Sequence, residues 1–411
     1  MISESVRSES TMPKSKTFNV RLVMALALMF GLAAITTPQA HAQSFSVIHN
    51  FTGGNDGANP LSGFLIYNGN LYGTASSGGS SGAGVVFELS TSGQETVLHE
   101  FTGGNDGSNP EGRLAISGGI LYGTTTSGGA YNAGTIYRVT LAGKETVIHS
   151  FNGKSGGANP VAGLAVDNAG NLYGTTKAGG ASGTGVVFEL VAPTVSGGEW
   201  IGKVLYSFGT GSDGATPVGG INFDASGNLY GTTSAGGTYG YGTVFQLTHS
   251  PAGWKENILH HFALQNDGGV PYAGLVRSGN NLYGATTEGG AGGQSGGGTV
   301  FELTPSGNSW NFSVLYGLSG WGISGSYRNL LMVAGKLFAT THCDGSNDAG
   351  TVYELTPSGD TWTYNQLYVF SGGSDGLYSF SNLIADDQGN FYGTTNLGGT
   401  NGYGVAFKVT P

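Results

Sequence analysis

Residues 171–190 read NLYGTTKAGGASGTGVVFEL, and this stretch decides the fold. It holds a Leu-Tyr-Gly-Thr core, a Gly-Gly loop and a Val-Phe-x-Leu segment, an order that occurs seven times in the chain. The cores are 50 to 57 residues apart and begin at Leu71, Leu121, Leu172, Leu229, Leu282, Leu337 (as Leu-Phe-Ala-Thr) and Phe391. This period is typical of one four-stranded propeller blade and is longer than a small solenoid coil. The spacing therefore predicts an all-β, seven-bladed β-propeller.

The same repeat divides into four strand-like segments separated by turn residues. They are residues 161–167, 171–176, 186–191 and 200–208. Short segments at this spacing, with Gly, Asn, Asp and Ser between them, indicate a barrel or a propeller. Several segments are apolar on both faces, as expected for blades that pack against a neighbour on each side.

The two ends of the repeat region predict a closed ring. Residues 45–51 match the fourth segment of a repeat, whereas residues 405–410, at the end of the chain, match a third segment. Pairing the spare N-terminal strand with the last blade would complete that blade and remove both open sheet edges. An open solenoid is the alternative, because repeats alone do not prove closure.

In a ring whose first strands lie at the axis, the linkers between blades and the loops from second to third strands share one face. We expect that face to be functional.

Residues 1–42 resemble an export signal. An apolar run over residues 22–35 follows the basic residues Lys14, Lys16 and Arg21, and Ala40-His41-Ala42 offers a small-x-small cleavage site before Gln43. A retained anchor is the alternative, and Met12 could be the true start in place of Met1. We therefore expect one mature domain, residues 43–411, that is secreted or periplasmic.

Charge and cysteine content exclude several classes of partner. Removing residues 1–42 takes away four of 15 basic and two of 25 acidic residues, leaving 11 and 23 and a net charge of −12. No basic cluster remains, so nucleic acid and anionic membranes are poor partners, whereas metal cations, neutral glycans and other proteins fit better.

Cys343 is the one cysteine, so ring closure must supply the stability that disulfides often give exported domains. We expect a monomer.

The repeat consensus is similar to the GloVer tandem repeat of exported bacterial proteins described as choice-of-anchor. The motifs that carry the resemblance are Gly-Asn-Leu-Tyr-Gly-Thr-Thr, a Gly-Gly loop, Gly-Thr-Val-Phe-x-Leu and Gly-Gly-x-Asp-Gly, and they cover residues 44–411. The resemblance implies an extracytoplasmic, propeller-like protein and brings no established activity or catalytic residues. Because the chain stops at Pro411 directly after a strand segment, we expect release rather than surface attachment.

Acidic residues recur in the linkers between repeats, usually as Asp-Gly. They are Asp56, Asp106, Asp213, Asp267 and Asp375. A loop that offers a carboxylate and backbone carbonyls can bind calcium, which takes about six to eight oxygen ligands. The alternative is turn chemistry, in which Asp caps the turn and Gly takes the left-handed position. One carboxylate per loop favours the turn, and calcium is the only cofactor that the sequence suggests.

The sixth repeat departs from the others and supplies the candidate ligand site. Its loop from second to third strand carries His, Cys and Asp where other repeats have a Gly-Gly turn, and its linker carries aromatic and basic residues. The candidates are Trp321, Tyr327, Arg328, His342, Asp344 and Asp348. Both segments belong to the loop-rich face, so these residues could bind a metal, carry out acid–base work or stack on a sugar ring. Sequence drift in one repeat is the alternative.

Recurring histidines and glutamates within the strands are predicted to be structural. Four histidines share a register with tyrosines, which indicates packing of a flat ring with a polar tip: His49, His99, His149 and His260. Four glutamates share a register with Arg138, Gln246 and Lys408, which indicates a solvated position: Glu88, Glu189, Glu302 and Glu354.

Three functions fit these observations. The first is a secreted binding or scaffold propeller for glycans or cell-surface partners. The second is a carbohydrate-active hydrolase or lyase, and the third is a structural envelope component. The chain has no Gly-x-Ser-x-Gly, His-Glu-x-x-His or Gly-Lys-Ser/Thr signature. Near-identical repeats favour the first and third functions, because catalysis needs asymmetry.

Overall fold

The computed structural model describes residues 43–195, 197–290, 296–318 and 325–411. The predicted export signal and Trp321 lie outside these residues. Gln43–Pro411 form one compact unit, a propeller of seven four-stranded antiparallel blades, which confirms the predicted fold class. Among the described residues, no helix has the length and apolar character that a membrane span requires.

The strands of each blade hydrogen-bond in chain order. Blades 1 to 3 contain β2 (Leu65–Tyr67), β3 (Asn70–Ala75), β4 (Val85–Ser90), β5 (Glu95–Glu100); β6 (Ala115–Ser117), β7 (Ile120–Thr125), β8 (Thr135–Thr140), β9 (Glu145–Ser150); and β10 (Ala165–Val166), β11 (Leu172–Thr176), β12 (Val186–Val191), β13 (Ile201–Ser207). Blade 4 contains β15 (Asn222–Phe223), β16 (Leu229–Thr233), β18 (Thr243–Ser250) and β19 (Gly253–His261), and a two-stranded ribbon pairs β14 (Gly214–Ala215) with β17 (Ala235–Gly236).

The remaining blades follow the same order. Blades 5 and 6 contain β20 (Val276–Ser278), β21 (Asn281–Ala285), β22 (Thr299–Ser306), β23 (Ser309–Gly317); and β24 (Leu331–Val333), β25 (Lys336–Thr340), β26 (Thr351–Ser358), β27 (Thr361–Val369). Blade 7 contains β28 (Ile384–Ala385), β29 (Phe391–Thr395), β30 (Val405–Thr410) and, from the other end of the chain, β1 (Ser44–Asn50).

The ring is closed by β1, as the chain ends predicted. It pairs antiparallel with β30 from Ser44↔Thr410 to Asn50↔Val405. The register shifts between Val47 and His49, and the fourth strands of the other six blades carry the same irregularity. The spare strand therefore occupies the position that a continuous blade would have given it.

The glycine of the Leu-Tyr-Gly-Thr core leaves room for an aromatic ring on the neighbouring strand. Gly174 pairs with Phe188, and a Cβ atom on Gly174 would lie 2.7 Å from the tip of that ring. In blade 6 the core has Ala339, and its partner is Tyr353. The hydroxyl of Tyr353 is hydrogen-bonded at 2.8 Å to that of Ser326. The Leu-Tyr-Gly-Thr and Val-Phe-x-Leu motifs thus recur together, because the small residue of the first motif leaves room for the aromatic ring of the second.

Hydrophobic packing between blades stabilises the ring. Phe51, directly after β1, is fully buried and belongs to one cluster with Phe87 of blade 1 and Tyr392 of blade 7. A buried phenylalanine follows the fourth strand in the same way in most other blades. Each such junction therefore buries an aromatic ring between two sheets. Full burial of such a ring stabilises the fold by about 2–3 kcal/mol.

The glutamates that share a register with residues of the opposite charge are not solvated, which corrects the sequence prediction. The side chain of Glu189 is 15% exposed, and its carboxylate accepts a hydrogen bond of 2.9 Å from Tyr173. Gln246 donates to the hydroxyl of Tyr230 in the same register, whereas Lys408 lies 5.9 Å above the ring of Tyr392. The position accepts either charge because the tyrosine of the core offers both a hydroxyl and a ring face.

Candidate functional site: the axial mouth

The linkers and the loops from second to third strands lie on one face, as predicted. Among the described residues, six of the seven linkers pair with the following loop of their own blade. Five do so through a short β-bridge, for example Ala58↔Ser77 and Leu377↔Leu397, and in blade 4 the pairing is that of β14 with β17. A further bridge joins Gly63 to Asn382, directly before the first strands of blades 1 and 7. The first strands therefore lie innermost, and the linkers lead to the axis.

One residue from every linker reaches the same cavity, which we call the axial mouth. Its volume is about 370 Å³, within the size range of small-molecule sites. The seven linker residues are Leu61, Glu111, Val161, Val218, Tyr272, Tyr327 and Phe380. Arg328, Lys177 and Asn396 complete the lining. In five blades the linker residue follows a proline, so one sequence position supplies a nearly continuous ring of side chains.

Arg328 crosses the axis and is held by backbone carbonyls. Its Nε donates to the oxygens of Phe380 at 3.1 Å and Leu61 at 3.2 Å, and its Nη2 lies 3.5 Å from the oxygen of Glu111. Burial lowers the pKa of this guanidinium, and the Glu111 carboxylate opposes that shift. Burial raises the pKa of Glu111, while Arg328 and Lys177 lower it. The axial mouth therefore holds two cations against one carboxyl, in a chain that is otherwise acidic.

A second cavity of about 240 Å³ continues along the axis below Arg328. Arg113 lies in its wall and donates from Nε to the carbonyl of Phe64 at 2.9 Å. Asn222, Asn329 and Asn382 line the same space. This second cavity is thus polar and adds a second arginine to the axis, whereas the blade junctions around it are apolar.

Aromatic rings occupy one side of the axial mouth. Tyr327 lies between Tyr272 at 5.2 Å and Phe380 at 4.8 Å, measured between ring centroids. His342 packs against the same group, 5.3 Å from Tyr327 and 4.2 Å from Phe380. These rings come from three linkers and one loop, so the aromatic side of the site exists only in the closed ring.

His342 is a neutral member of this aromatic group. Burial lowers its pKa to about 4. Its Nδ1 atom is buried and has no hydrogen-bond partner among the described residues. An imidazole in this state offers a ring face and one unsatisfied nitrogen.

The structure brings together only part of the site predicted from the sixth repeat. Tyr327, Arg328 and His342 converge, as expected from the shared face. Asp344 is buried and accepts a hydrogen bond of 3.0 Å from Tyr364, a residue of the outer strand β27. Asp348 is exposed, in a turn with φ of 52°. Neither aspartate lines the axial mouth.

The aspartates of the linkers cap turns. Each carboxylate accepts a hydrogen bond from the backbone N–H four residues earlier, in all five linkers named above: Asp56, Asp106, Asp213, Asp267 and Asp375. The predicted turn chemistry is therefore present. The calcium prediction for these residues stays a prediction.

Sequence reasoning missed Tyr272, Phe380, Glu111 and Lys177. The first three occupy the linker position that follows the proline, or its equivalent, so this position carried a signal once the ring was known to close. Its residues differ between blades, because each side chain meets the axis from a different direction and contacts different neighbours. When the repeats are only compared with one another, this variation between blades is indistinguishable from sequence drift.

The fold and the axial mouth define the class of protein: a propeller built from near-identical repeats, with a cavity where the linkers meet. The chain belongs to the Gloeobacter/Verrucomicrobia repeat family, whose model matches residues 29–224 and 221–411. This confirms the family resemblance found in the repeat motifs. No curated protein matches the chain.

The chain is similar to several solved structures, of which the first supports the fold. A candidate 6-phosphogluconolactonase from Bacteroides uniformis is similar, with a TM-score of 0.50 and 18% identity over 79% of this chain and 88% of that one. A candidate oxidoreductase (glucose dehydrogenase) from Thermus thermophilus gives a TM-score of 0.44 and 14% identity, covering 90% of this chain and 100% of the other. A triple arginine-to-alanine mutant of AofleA from Arthrobotrys oligospora gives 0.43 and 9%, over 80% and 90% of the two chains. At these identities the likeness concerns the fold alone.

Proposed function

We propose that the protein is an exported binding propeller that takes carbohydrate at the axial mouth and acts without a catalytic step of its own. One observation carries the proposal. Tyr272, Tyr327 and Phe380 face the same cavity as the guanidinium of Arg328 and the carboxyl of Glu111. A sugar ring has apolar C–H faces that stack on aromatic rings and hydroxyls that bond to charged groups, and this cavity offers both.

The construction of the axial mouth favours binding over chemistry. Arg328 is held by three carbonyl groups from three blades, so its position is fixed before any ligand arrives. Fixed groups reduce the entropy lost on association. The predicted export signal and the loss of basic residues with it support a ligand outside the cytoplasm, such as the end of a surface or extracellular glycan.

Affinity electrophoresis of residues 43–411 through gels that contain soluble polysaccharides tests the proposal. The wild-type protein should be retarded by at least one polymer, and Tyr327→Ala should abolish the retardation because it removes the central ring. Tyr327→Phe keeps the ring and should retain most of the effect. The matched control is Tyr131→Ala, since Tyr131 is 65% exposed and lies in the loop after β7, away from the axial mouth.

The same mixtures should be assayed for new chain ends. Retardation without new ends is the expected result. New ends would overturn binding without catalysis and favour the hydrolase or lyase alternative. Retardation that survives Tyr327→Ala and disappears in Tyr131→Ala would move the site to the loop tips, which contradicts the proposal.

A further inference from the structure

Three potential metal ligands meet beside the strand that closes the ring. His49 lies near the end of β1, Asp56 lies in the linker to blade 1, and Glu95 begins β5. Nε2 of His49 is 3.4 Å from Oδ2 of Asp56 and 3.7 Å from Oε2 of Glu95. All three ligand atoms lie within 4.8 Å of one another, and among the described residues this is the one group of three His, Cys, Asp or Glu side chains that does so.

Two atoms of this group are buried without a hydrogen bond. They are Nε2 of His49 and Oε1 of Glu95, neither of which has a partner in the part of the chain that the structure describes. The Glu95 side chain is only 10% exposed, and that of Asp56 is 15% exposed. Burial of unsatisfied polar atoms costs free energy that a bound cation would offset.

We propose that His49, Asp56 and Glu95 bind a zinc ion, a site unrelated to the axial mouth. Zinc accepts imidazole nitrogen and carboxylate oxygen at about 2.0–2.2 Å, so the edge of its ligand tetrahedron is about 3.4 Å. The two distances from His49 are close to that edge. Thr52 donates its N–H at 2.9 Å and also its hydroxyl to the carboxylate of Asp56, and such bonds hold a ligand in orientation.

The other junctions show that the fold does not require this set of residues. Between blades 3 and 4 the histidine is replaced by Tyr206, whose hydroxyl lies 3.2 Å from a carboxyl oxygen of Asp213 and 3.2 Å from one of Glu256. At the next junction Phe312 takes the place of the glutamate and stacks on His260, with ring centroids 3.8 Å apart. The fold therefore accommodates several sets of side chains at this position of a blade junction, and His49, Asp56 and Glu95 form one of them.

The junction between blades 1 and 2 repeats the three residue types with the same spacing in sequence. His99 is 3.4 Å from Asp106, and Glu145 takes the position of Glu95. Glu145 is not within ion-pair distance of His99 in the described structure, so this group is the wider of the two. We expect zinc to bind first at His49, Asp56 and Glu95.

The position of the ion gives it a structural role. It would join β1, the strand from the far end of the chain that completes blade 7, to β5, the outer strand of blade 1. Zinc would thereby hold the closing strand in place, in a chain whose single cysteine excludes an internal disulfide.

The test is zinc binding to untagged protein of residues 43–411, freed of metal with a chelator. Calorimetry should give one tight site per chain. Zinc at about 100 times its dissociation constant should raise the midpoint of thermal unfolding by about 3 °C, and calcium at the same concentration should not. Cobalt in place of zinc should give the visible absorption of a tetrahedral site.

Two variants and one matched control locate the ion. Glu95→Gln keeps the shape of the side chain, and His49→Tyr introduces a residue that blades 3, 5 and 6 carry in this register, so both should fold. Each should weaken zinc binding at least about tenfold. Glu256→Gln alters the equivalent position of a junction without histidine and should leave zinc binding unchanged. Equal binding by all variants, no binding by the wild type, or a larger shift with calcium would overturn the proposal.

Discussion

Replacing Val270 with Asn should stabilise the ring. Val270 has φ of 54°, in the left-handed region, where a β-branched residue is strained by about 1–2 kcal/mol. Three other linkers place asparagine at the same point with φ of 55° to 56°: Asn59, Asn109 and Asn159. The sequence therefore contains the better residue for this position three times.

The expected increase in the free energy of unfolding is the sum of two stabilising contributions and one destabilising contribution. Asn109 donates its side-chain amide to the carbonyl of Ser76 in the preceding blade at 3.1 Å, and the corresponding acceptor for residue 270 is the carbonyl of Ser234. Such a bond contributes about 1 kcal/mol, and relief of strain contributes a similar amount. Loss of the half-buried valine side chain costs about 1 kcal/mol. The net stabilisation should be about 1 kcal/mol.

Chemical denaturation followed by circular dichroism measures this change. Val270→Asn should unfold at a higher urea concentration than the wild type, with an unchanged slope. Val270→Ala removes the branched side chain without adding an amide and should fall below Val270→Asn. The reverse exchange, Asn109→Val, should destabilise by about 2 kcal/mol. If Val270→Asn is no more stable than Val270→Ala, the account of the linker is wrong.

Three further changes test the fold. Gly174→Ala should lower stability by about 2–3 kcal/mol, seen as a lower thermal midpoint, because its Cβ would lie 2.7 Å from Phe188; an unchanged midpoint would contradict the close approach. Deleting residues 43–50 should remove β1 and expose an edge of blade 7, so size-exclusion chromatography should show a larger species than the wild type gives. A deletion variant with the size and stability of the wild type would refute ring closure. Glu256→Gln should stabilise the protein at pH 8.5 by about 1–2 kcal/mol after solvent screening and have little effect near pH 4.5. Burial is the main cause that raises the pKa of Glu256 to about 8, and hydrogen bonding to Asp213 and charge repulsion from it add to the effect. The folded state therefore binds more protons than the unfolded state between about pH 4.5 and 8. Because of this difference, stability falls as pH rises through that interval. Equal effects at both pH values in thermal unfolding would contradict this.

The sequence predicted the architecture because the information is local and repeated. Each blade carries its own glycine and aromatic ring, as Gly174 and Phe188 show, and the unmatched strands at the two ends determine how the ring closes. The face that carries the linkers followed from the same order of strands. These features need no knowledge of how one blade meets another.

The sites could be predicted only in part because they form between blades. Tyr327 and His342 were found because one repeat holds both, whereas Tyr272 and Phe380 belong to other repeats and complete the axial mouth from different directions. His49 and Glu95 are 46 residues apart and meet across a junction, so the histidine was assigned to packing alone. A residue's place within its repeat does not show which residue of the next blade it faces.

The most direct test of the account is a crystal structure of residues 43–411 with the saccharide that retards the protein in gels. We expect density at the axial mouth, with a sugar ring against Tyr327 and a hydroxyl or an anionic group within hydrogen-bond distance of Arg328. Density at the outer loops around Tyr131 or Tyr239, with an axial mouth that holds only water, would contradict the claim that the ligand is bound where the seven linkers meet.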